Sequence, residues 1–326
     1  MPPLSGSSFD WRLPPGFPVP LSNMQSQEKF ELGRRLFYDR RLSFNETQSC
    51  ADCHQQRFAF TDGRARAVGS TGQTHSRNSM TLTNAAYNAM YTWDNERIRS
   101  LEQQAHVPMF NERPVELGVK SHEKEIVARL RNDPAYEGMF RQVFRGERRP
   151  VNINNIASAL AAFERALISG RSPYDRLVYG GEEKAMSASA WRGMGLFFSA
   201  RAGCSECHRG FNFSGAVRHT GKRDEEPHLV NNGVTSGKFR VPTLRNGALT
   251  APYMHDGSIA TLAQVISRYS DARKLSLTSE EQSDLLAFLD SLTDQEFVTD
   301  PRFGPPLESS LRAPPAQIPR RLRSFF

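Results

Sequence analysis

Apolar residues recur every three or four positions along several stretches of the chain, the spacing that places them on one face of an α-helix. The clearest stretch is residues 153–168, where isoleucine, leucine and phenylalanine follow this period. Residues 279–282 read Ser-Glu-Glu-Gln, which predicts a capping box at the start of another helix. The remaining segments with this period are residues 26–38, 187–198, 261–269 and 280–292. Because no long stretch alternates apolar and polar residues, the sequence predicts a mainly α protein with long loops and little β structure.

The length and composition are those of a globular protein. The 326 residues give room for about two domains, and 38% apolar and 24% charged residues exclude a disordered, collagen-like or disulfide-rich chain. No apolar run of about 18 residues occurs, so we expect no membrane span. Residues 1–23 are rich in proline and have no apolar centre, so we expect an N-terminal extension and not an export signal.

The net charge of +7 is concentrated near the C-terminus. Residues 301–326 contain five arginines, one acidic residue and six prolines. A charge this small and this localised does not favour a nucleic-acid partner. We expect residues 299–326 to form a basic, proline-rich tail in solvent.

The four cysteines fall into two copies of the pattern C-x-x-C-H. The copies are Cys50, Cys53 and His54, and Cys204, Cys207 and His208. This pattern predicts c-type haem, in which both thiols bond to the haem and the histidine binds the iron. A Cys₄ zinc site would leave both histidines unexplained, and a redox dithiol would need a βαβ context. Two covalent haems in turn indicate an export compartment, here the periplasm.

The sequence around the two motifs repeats. Residues 81–94 align without a gap to residues 243–256, and Gly33 and Gly193 stand at equivalent places before the motifs. The chain is therefore predicted to be two cytochrome c-like haem domains in tandem, each with one haem. The predicted boundaries are residues 24–167 for the first domain and residues 168–298 for the second.

The two copies differ where a second iron ligand would be expected. Tyr269 follows a leucine by seven residues in the second copy, whereas Pro108 has this place in the first. A phenol can bind iron and proline cannot. We therefore predict a closed haem bound by His208 and Tyr269, and a haem with an open face opposite His54, where peroxide can bind.

Three more residues are candidates for chemistry at the open haem. Gln104 and Glu116 flank Pro108, and a carboxylate with an amide neighbour suits proton transfer to and from peroxide. The alternative is that both are solvated residues. Trp93 stands where the second copy has His255, and an indole between the copies would relay electrons unless it only packs in the core.

Together, these motifs resemble the bacterial dihaem cytochrome c peroxidase superfamily over residues 26–298. Tyr269 is similar to the MauG branch, whose closed haem carries tyrosine where conventional peroxidases carry methionine. Residues 9–18, 59–72 and 100–110 look more specifically like MbnH, the dihaem enzyme of methanobactin operons. That resemblance implies oxidation of tryptophan to kynurenine on a partner protein similar to MbnP.

The resemblance also implies a calcium ion between the two domains. Its ligands would be the side chain of Asn78 and the backbone carbonyls of Thr250 and Pro252. Oxygen ligands suit a hard cation, with water completing the shell. The alternative for these three residues is ordinary turn chemistry.

The sequence departs from its relatives at two places. The distal histidine of conventional peroxidases has no counterpart, because His75 lies too close to Asn78, and we expect His75 to be a surface residue. MauG passes oxidising equivalents to its substrate protein through a tryptophan at the position of Ala202. Trp191 is a possible substitute, although core packing is the simpler expectation.

These observations lead to a functional hypothesis with two rivals. The hypothesis is an oxidase that uses hydrogen peroxide, forms a high-valent, bis-Fe(IV)-like state through Trp93, and oxidises a partner protein. The first rival is a conventional peroxidase that takes electrons from a small redox protein, which methionine at position 269 would have favoured. The second is a dihaem electron-transfer cytochrome without enzyme activity, and Pro108 argues against it.

Overall fold

The computed structural model describes residues 21–215 and 238–306, together with the backbone of residues 218–219 and 222–223. The predicted extension, apart from its last three residues, and the C-terminal part of the predicted tail lie outside the described residues. The prediction of a mainly α fold is confirmed. The described helices are α1 Gln27–Tyr38, α2 Cys50–Cys53, α3 Leu101–Phe110, α4 Glu123–Arg131, α5 Pro134–Val143, α6 Ile153–Arg165, α7 Pro173–Val178, α8 Ala188–Phe198, α9 Leu262–Ala272, α10 Ser279–Asp290 and α11 Gln295–Thr299.

β-structure is limited to one short hairpin and isolated bridges in the described part of the chain. Strands β1 (Arg218–His219) and β2 (Lys222–Arg223) pair antiparallel, with Arg218 opposite Arg223. Of the helices in the described ranges, none is long and apolar enough to cross a membrane.

The five helices predicted from apolar periodicity are present, each within a few residues of the predicted ends. Helix α6 starts after Asn152, whose side chain accepts the N–H of Asn155 at 2.9 Å. Its apolar face, including Phe163, is buried. The predicted capping box is displaced by one residue, because Thr278 and not Ser279 caps α10, and Glu281 returns the bond. The threonine hydroxyl accepts a hydrogen bond from the backbone N–H of the third helical residue, as in other capping boxes.

Gly33 of α1 and Gly193 of α8, which the sequence repeat makes equivalent, let two pairs of helices approach closely. A Cβ on Gly33 would lie 1.9 Å from the carbonyl oxygen of Ala159 in α6. A Cβ on Gly193 would lie 1.8 Å from the carbonyl oxygen of Asp284 in α10. Both distances are far below van der Waals contact, so only glycine fits. Each half therefore packs the helix before its C-x-x-C-H motif against a later helix in the same way.

Two separate hydrophobic cores form around these helix pairs. The first contains Phe30, Phe37 and Phe163, and the second contains Phe197, Phe213 and Phe288. The last described segment packs on the first core, because Phe297 of α11 and Phe303 are buried there, and Tyr38 donates to the Phe303 carbonyl at 2.7 Å. The prediction of a solvent-exposed tail from residue 299 is thus wrong for Phe303 and Gly304, which are buried. The predicted domain boundaries otherwise remain predictions.

A buried ion pair connects α7 to the segment that contains Arg245. Arg245 is fully buried and donates to both carboxylate oxygens of Asp175 in α7, at 2.7 and 2.8 Å. Its Nε donates to the carbonyl of Phe211 at 2.7 Å. Each of the three guanidinium nitrogens therefore donates one of these bonds, and removal of the carboxylate would leave a buried charge without its counter-ion.

Candidate haem sites

Both C-x-x-C-H histidines are held by the same backbone contact. Nδ1 of His54 lies 2.8 Å from the carbonyl oxygen of Phe60, and Nδ1 of His208 lies 2.8 Å from that of Phe213. Because a carbonyl only accepts, Nδ1 must carry the proton, which leaves Nε2 unprotonated in the neutral ring. Burial lowers the pKa of both histidines, so the neutral ring is favoured. Each Nε2 is thus prepared to bind iron.

Three of the four cysteines lie where burial disfavours the thiolate. Burial raises the pKa of Cys50 and of Cys204, and raises that of Cys53 to about 12, so these thiols are neutral at ordinary pH. The described residues contain no group of three or more histidine, cysteine, aspartate or glutamate side chains that could hold a metal. Since all four cysteines are described, a Cys₄ zinc site is excluded.

The second motif opens onto a cavity of about 330 Å³. Cys204, Cys207 and His208 line it, and so does Tyr269 of α9. Helix α9 begins at the capping box of Thr261 and Gln264 and ends at Ala272, so Tyr269 lies inside the helix. The structure therefore brings the two predicted iron ligands of the second haem to one cavity.

The same cavity contains a buried cation that sequence reasoning missed. Arg240 is 9% exposed and lines the cavity, and its Nε has no hydrogen-bond partner. No carboxylate in the described ranges pairs with it, and burial lowers its pKa to about 10. A buried guanidinium without a carboxylate partner among the described residues fits the propionate groups of a haem, which would supply the missing negative charge. The residues present thus fit the cofactor, although nothing in the sequence around Arg240 indicated it.

The residues predicted for the distal side of the first haem lie on α3 and on the segment after it. Pro108 lies inside α3, so the carbonyl of Gln104 loses its usual helical partner. The Pro108 carbonyl accepts the N–H of Leu117 at 2.9 Å, which holds Glu116 beside α3. The charge of Glu116 acts on Cys50, Cys53 and His54, so the carboxylate lies near the first motif.

No hydrogen bond joins the side chains of Gln104 and Glu116. Gln104 is half-buried on α3, and its side-chain amide makes no hydrogen bond to the described residues. The partner of Glu116 is His75, whose Nε2 lies 3.1 Å from Oε1 of the carboxylate. The side chain of His75 is 21% exposed, so it lies near the surface as predicted, but the sequence did not indicate its pairing with Glu116. His75 is too close to Asn78 to be the distal histidine of conventional peroxidases, but its loop folds back onto Glu116.

A second buried carboxyl near the first motif was not singled out from the sequence. Glu164 of α6 is 5% exposed, and its Oε2 has no partner in the described part of the chain. Burial, followed by the charge of Glu102, raises its pKa to about 8, so it is mostly protonated at neutral pH. After burial itself, Glu164 is the largest influence on the pKa of Cys50, which places it beside the first motif.

Trp93 lies at the junction of the two halves. Its indole N–H donates to the carbonyl of Asn78 at 3.0 Å, and its own carbonyl accepts the N–H of Arg240 at 2.8 Å. Trp93 and Met80 both line the second cavity, and the backbone of Met80 also interacts with His54. The indole is half-buried and borders the second haem cavity. Its role as a relay remains a prediction.

The three candidate calcium ligands line the same cavity. Asn78, Thr250 and Pro252 all line the second cavity. The side-chain N–H₂ of Asn78 donates to the carbonyl of Arg64 at 2.7 Å, which orients the amide and leaves its oxygen available. An amide oxygen and two carbonyls fit a hard cation. Calcium binding here remains a prediction.

The two residues considered for an exit route have opposite environments. Ala202 is 1% exposed, whereas Trp191 of α8 is 44% exposed. The expectation that Trp191 packs in the core is therefore wrong. Helical periodicity put residue 191 on an amphipathic helix but did not show which side of that helix faces solvent.

Comparisons with known proteins agree with this geometry. The profile of the di-haem cytochrome c peroxidase family matches residues 27–184. Methylamine utilization protein MauG of Methylorubrum extorquens is 33% identical over 300 residues, which cover 86% of this chain and 83% of MauG. Cytochrome c551 peroxidase of Pseudomonas aeruginosa is 33% identical over 285 residues, which cover 83% and 80%. The crystal structure of a MauG-like protein associated with microbial copper homeostasis superposes with a TM-score of 0.87 at 37% identity, over 92% of this chain and 99% of that one.

Proposed function

Because the chain belongs to the dihaem cytochrome c peroxidase and MauG family, we propose that it uses hydrogen peroxide to oxidise a tryptophan of a partner protein to kynurenine. Family membership makes it a haem-dependent oxidoreductase with two c-type haems that acts on peroxide. The observation that carries the finer proposal is Tyr269 in the cavity of His208, where the first half has Pro108. A phenolate is a harder ligand than a thioether and stabilises oxidised iron, as a store of oxidising equivalents requires.

Each candidate residue then has a defined task. His54 and His208 bind iron through Nε2, and Cys50, Cys53, Cys204 and Cys207 hold the haems covalently. When bound, the haems supply the redox chemistry. Glu116 moves a proton at the carboxylate oxygen that His75 does not occupy, and Gln104 orients peroxide through its unbonded amide. Pro108 keeps the distal face open, Trp93 connects the two halves, and Tyr269 closes the second site.

The partner protein stays outside the pocket in this proposal. We propose a partner similar to MbnP, because a similar solved structure is described as a MauG-like protein associated with microbial copper homeostasis. Residues 24–167 form the peroxide-reactive half and residues 168–298 the electron-storing half. A calcium ion at Asn78, Thr250 and Pro252 joins them, and both proteins work in the periplasm, where c-type haems are attached.

The chemistry sets a stoichiometry. Conversion of tryptophan to N-formylkynurenine adds two oxygen atoms, and it balances when two molecules of hydrogen peroxide are reduced to two of water. Hydrolysis then releases formate and leaves kynurenine. Two catalytic cycles per modified residue are therefore required.

The experiment mixes the holoenzyme with peroxide and either an MbnP-like protein or a reduced small cytochrome. We expect kynurenine in the partner, identified by peptide mass and absorbance, with two peroxide molecules consumed per residue. Glu116→Gln should slow this reaction by roughly 10²–10⁴-fold while both haems stay bound. Rapid oxidation of the cytochrome with an unmodified partner tryptophan would instead identify a conventional peroxidase.

A further inference from the structure

The carboxylate assigned to proton transfer is held by a side chain that the functional proposal does not require. Nε2 of His75 lies 3.1 Å from Oε1 of Glu116, and Nδ2 of Asn111 lies 3.5 Å from the same oxygen. Both contacts use one oxygen of the carboxylate. Oε2 makes no hydrogen bond to the described residues, so one oxygen is held and the other is left for chemistry.

The loop that carries His75 is itself fixed to the segment of Glu116. Val68 and Thr74 form an antiparallel bridge, and the N–H of His75 donates to the carbonyl of Ala67 at 2.7 Å. The N–H of Ser70 donates to the carbonyl of Glu116 at 2.9 Å. The loop therefore contacts both the backbone and the side chain of Glu116, whereas an isolated surface ion pair involves the side chains alone.

The position of the pair relative to solvent indicates orientation and not stability. The side chains of His75 and Glu116 are 21% and 26% exposed. A pair this open contributes little to the free energy of unfolding, because water competes for both partners. A fixed rotamer still matters for proton transfer, since a displacement of about 1 Å can cost roughly 10²-fold in rate.

We propose that His75 is a positioning residue, whose Nε2–H holds Oε1 of Glu116 so that Oε2 exchanges the proton of peroxide at the open haem. The inference rests on the proposed role of Glu116. An accepting carboxylate fixes the proton of the neutral ring on Nε2. His75 touches neither iron nor peroxide, and acts only through the rotamer of Glu116.

The test compares two substitutions of His75 with a control. His75→Leu removes the donor, and we expect the rate of peroxide reaction at the first haem to fall about 10–100-fold. His75→Gln places an amide N–H donor at a similar reach, and we expect it to keep the rate within about threefold of wild type. His122 pairs with Glu125 at 3.3 Å on the surface of the same half, so His122→Leu controls for loss of a histidine and should leave the rate unchanged.

A double variant and a binding measurement separate positioning from loop packing. In the Glu116→Gln background, His75→Leu should cause no further loss of rate. Fluoride affinity of the ferric open haem, which depends on a distal proton donor, should fall in His75→Leu and in Glu116→Gln but not further in the double variant.

Three results would overturn the inference. Wild-type rate and fluoride affinity in His75→Leu, with Glu116→Gln slow, would refute it and leave the proposed function intact. An equal loss from His75→Leu in the presence and absence of Glu116 would assign His75 to loop packing. A wild-type rate in Glu116→Gln would refute both the acid–base role of Glu116 and the positioning role of His75.

Discussion

Substitution of Gly193 by alanine tests the helix packing that supports the second haem motif. The added Cβ would lie 1.8 Å from the carbonyl oxygen of Asp284 and 2.4 Å from its carbonyl carbon. Both atoms belong to the backbone of α10, so no side chain can rotate away. The two helices must separate by more than an ångström before contact becomes normal.

The separation also loosens other contacts between α8 and α10. Asp284 accepts hydrogen bonds from Ser189 and Arg192 of α8, at 2.6 to 2.8 Å. Overpacking in a rigid site costs about 3 kcal/mol or more, and the better helix propensity of alanine offsets about 1 kcal/mol of this. Gly193→Ala should therefore lower the free energy of unfolding by about 2 kcal/mol or more.

Gly195, two residues along the same helix, is a matched control. A Cβ at this position has nothing within 4 Å, so Gly195→Ala should stabilise the protein by about 0.5–1 kcal/mol. Guanidinium unfolding of the holoproteins, followed by circular dichroism and haem absorbance, measures both changes. Equal stability of the two variants would contradict the close approach of α8 and α10.

Three further predictions concern buried charge and electron transfer. The pKa of Glu164 is raised from 4.5 to about 8, so its contribution to stability is complete below pH 4.5 and is lost as the pH rises through 8. In pH-dependent unfolding, the free energy of unfolding of the wild type should fall by up to about 5 kcal/mol relative to that of Glu164→Gln over this range. Asp175→Asn should lower the free energy of unfolding by about 3–5 kcal/mol, because it leaves the fully buried Arg245 without its counter-ion. As a control at an exposed ion pair, Glu112→Gln should lower it by less than about 1 kcal/mol. Trp93→Phe should leave peroxide consumption with a small reducing dye unchanged but sharply reduce oxidation of the partner protein; equal loss of both activities would assign Trp93 to structure.

The helices and the haem motifs were predictable because their signals are local. The periodicity of residues 153–168 and the C-x-x-C-H pattern depend on neighbours in sequence, and both correspond to what the structure contains. Helix α3 was not predicted, because Pro108 interrupts the pattern from which a helix is normally inferred. The sequence repeat made Gly33 and Gly193 equivalent, but it did not explain why both must be glycine. Each contacts a helix more than 90 residues away in sequence, which only the fold shows.

The parts of the site that the sequence missed all depend on long-range contacts. His75 pairs with a residue 41 positions away, and neither its own segment nor that of Glu116 carries a pattern that predicts this. The role of Arg240 follows from the cavity, in which no carboxylate among the described residues neutralises its charge. The sequence did not indicate that Glu164 is buried, because an amphipathic helix can carry a carboxyl at the edge of its apolar face.

The proposed function requires one haem with an open face and one haem closed by Tyr269. The electron paramagnetic resonance spectrum of the ferric holoprotein distinguishes these two states. We expect one high-spin signal, from the haem bound by His54, and one low-spin signal, from the haem bound by His208. In Tyr269→Met only the low-spin signal should change. Two low-spin signals in the wild type, or a low-spin signal that Tyr269→Met leaves unaltered, would refute the proposed assignment of the two haems.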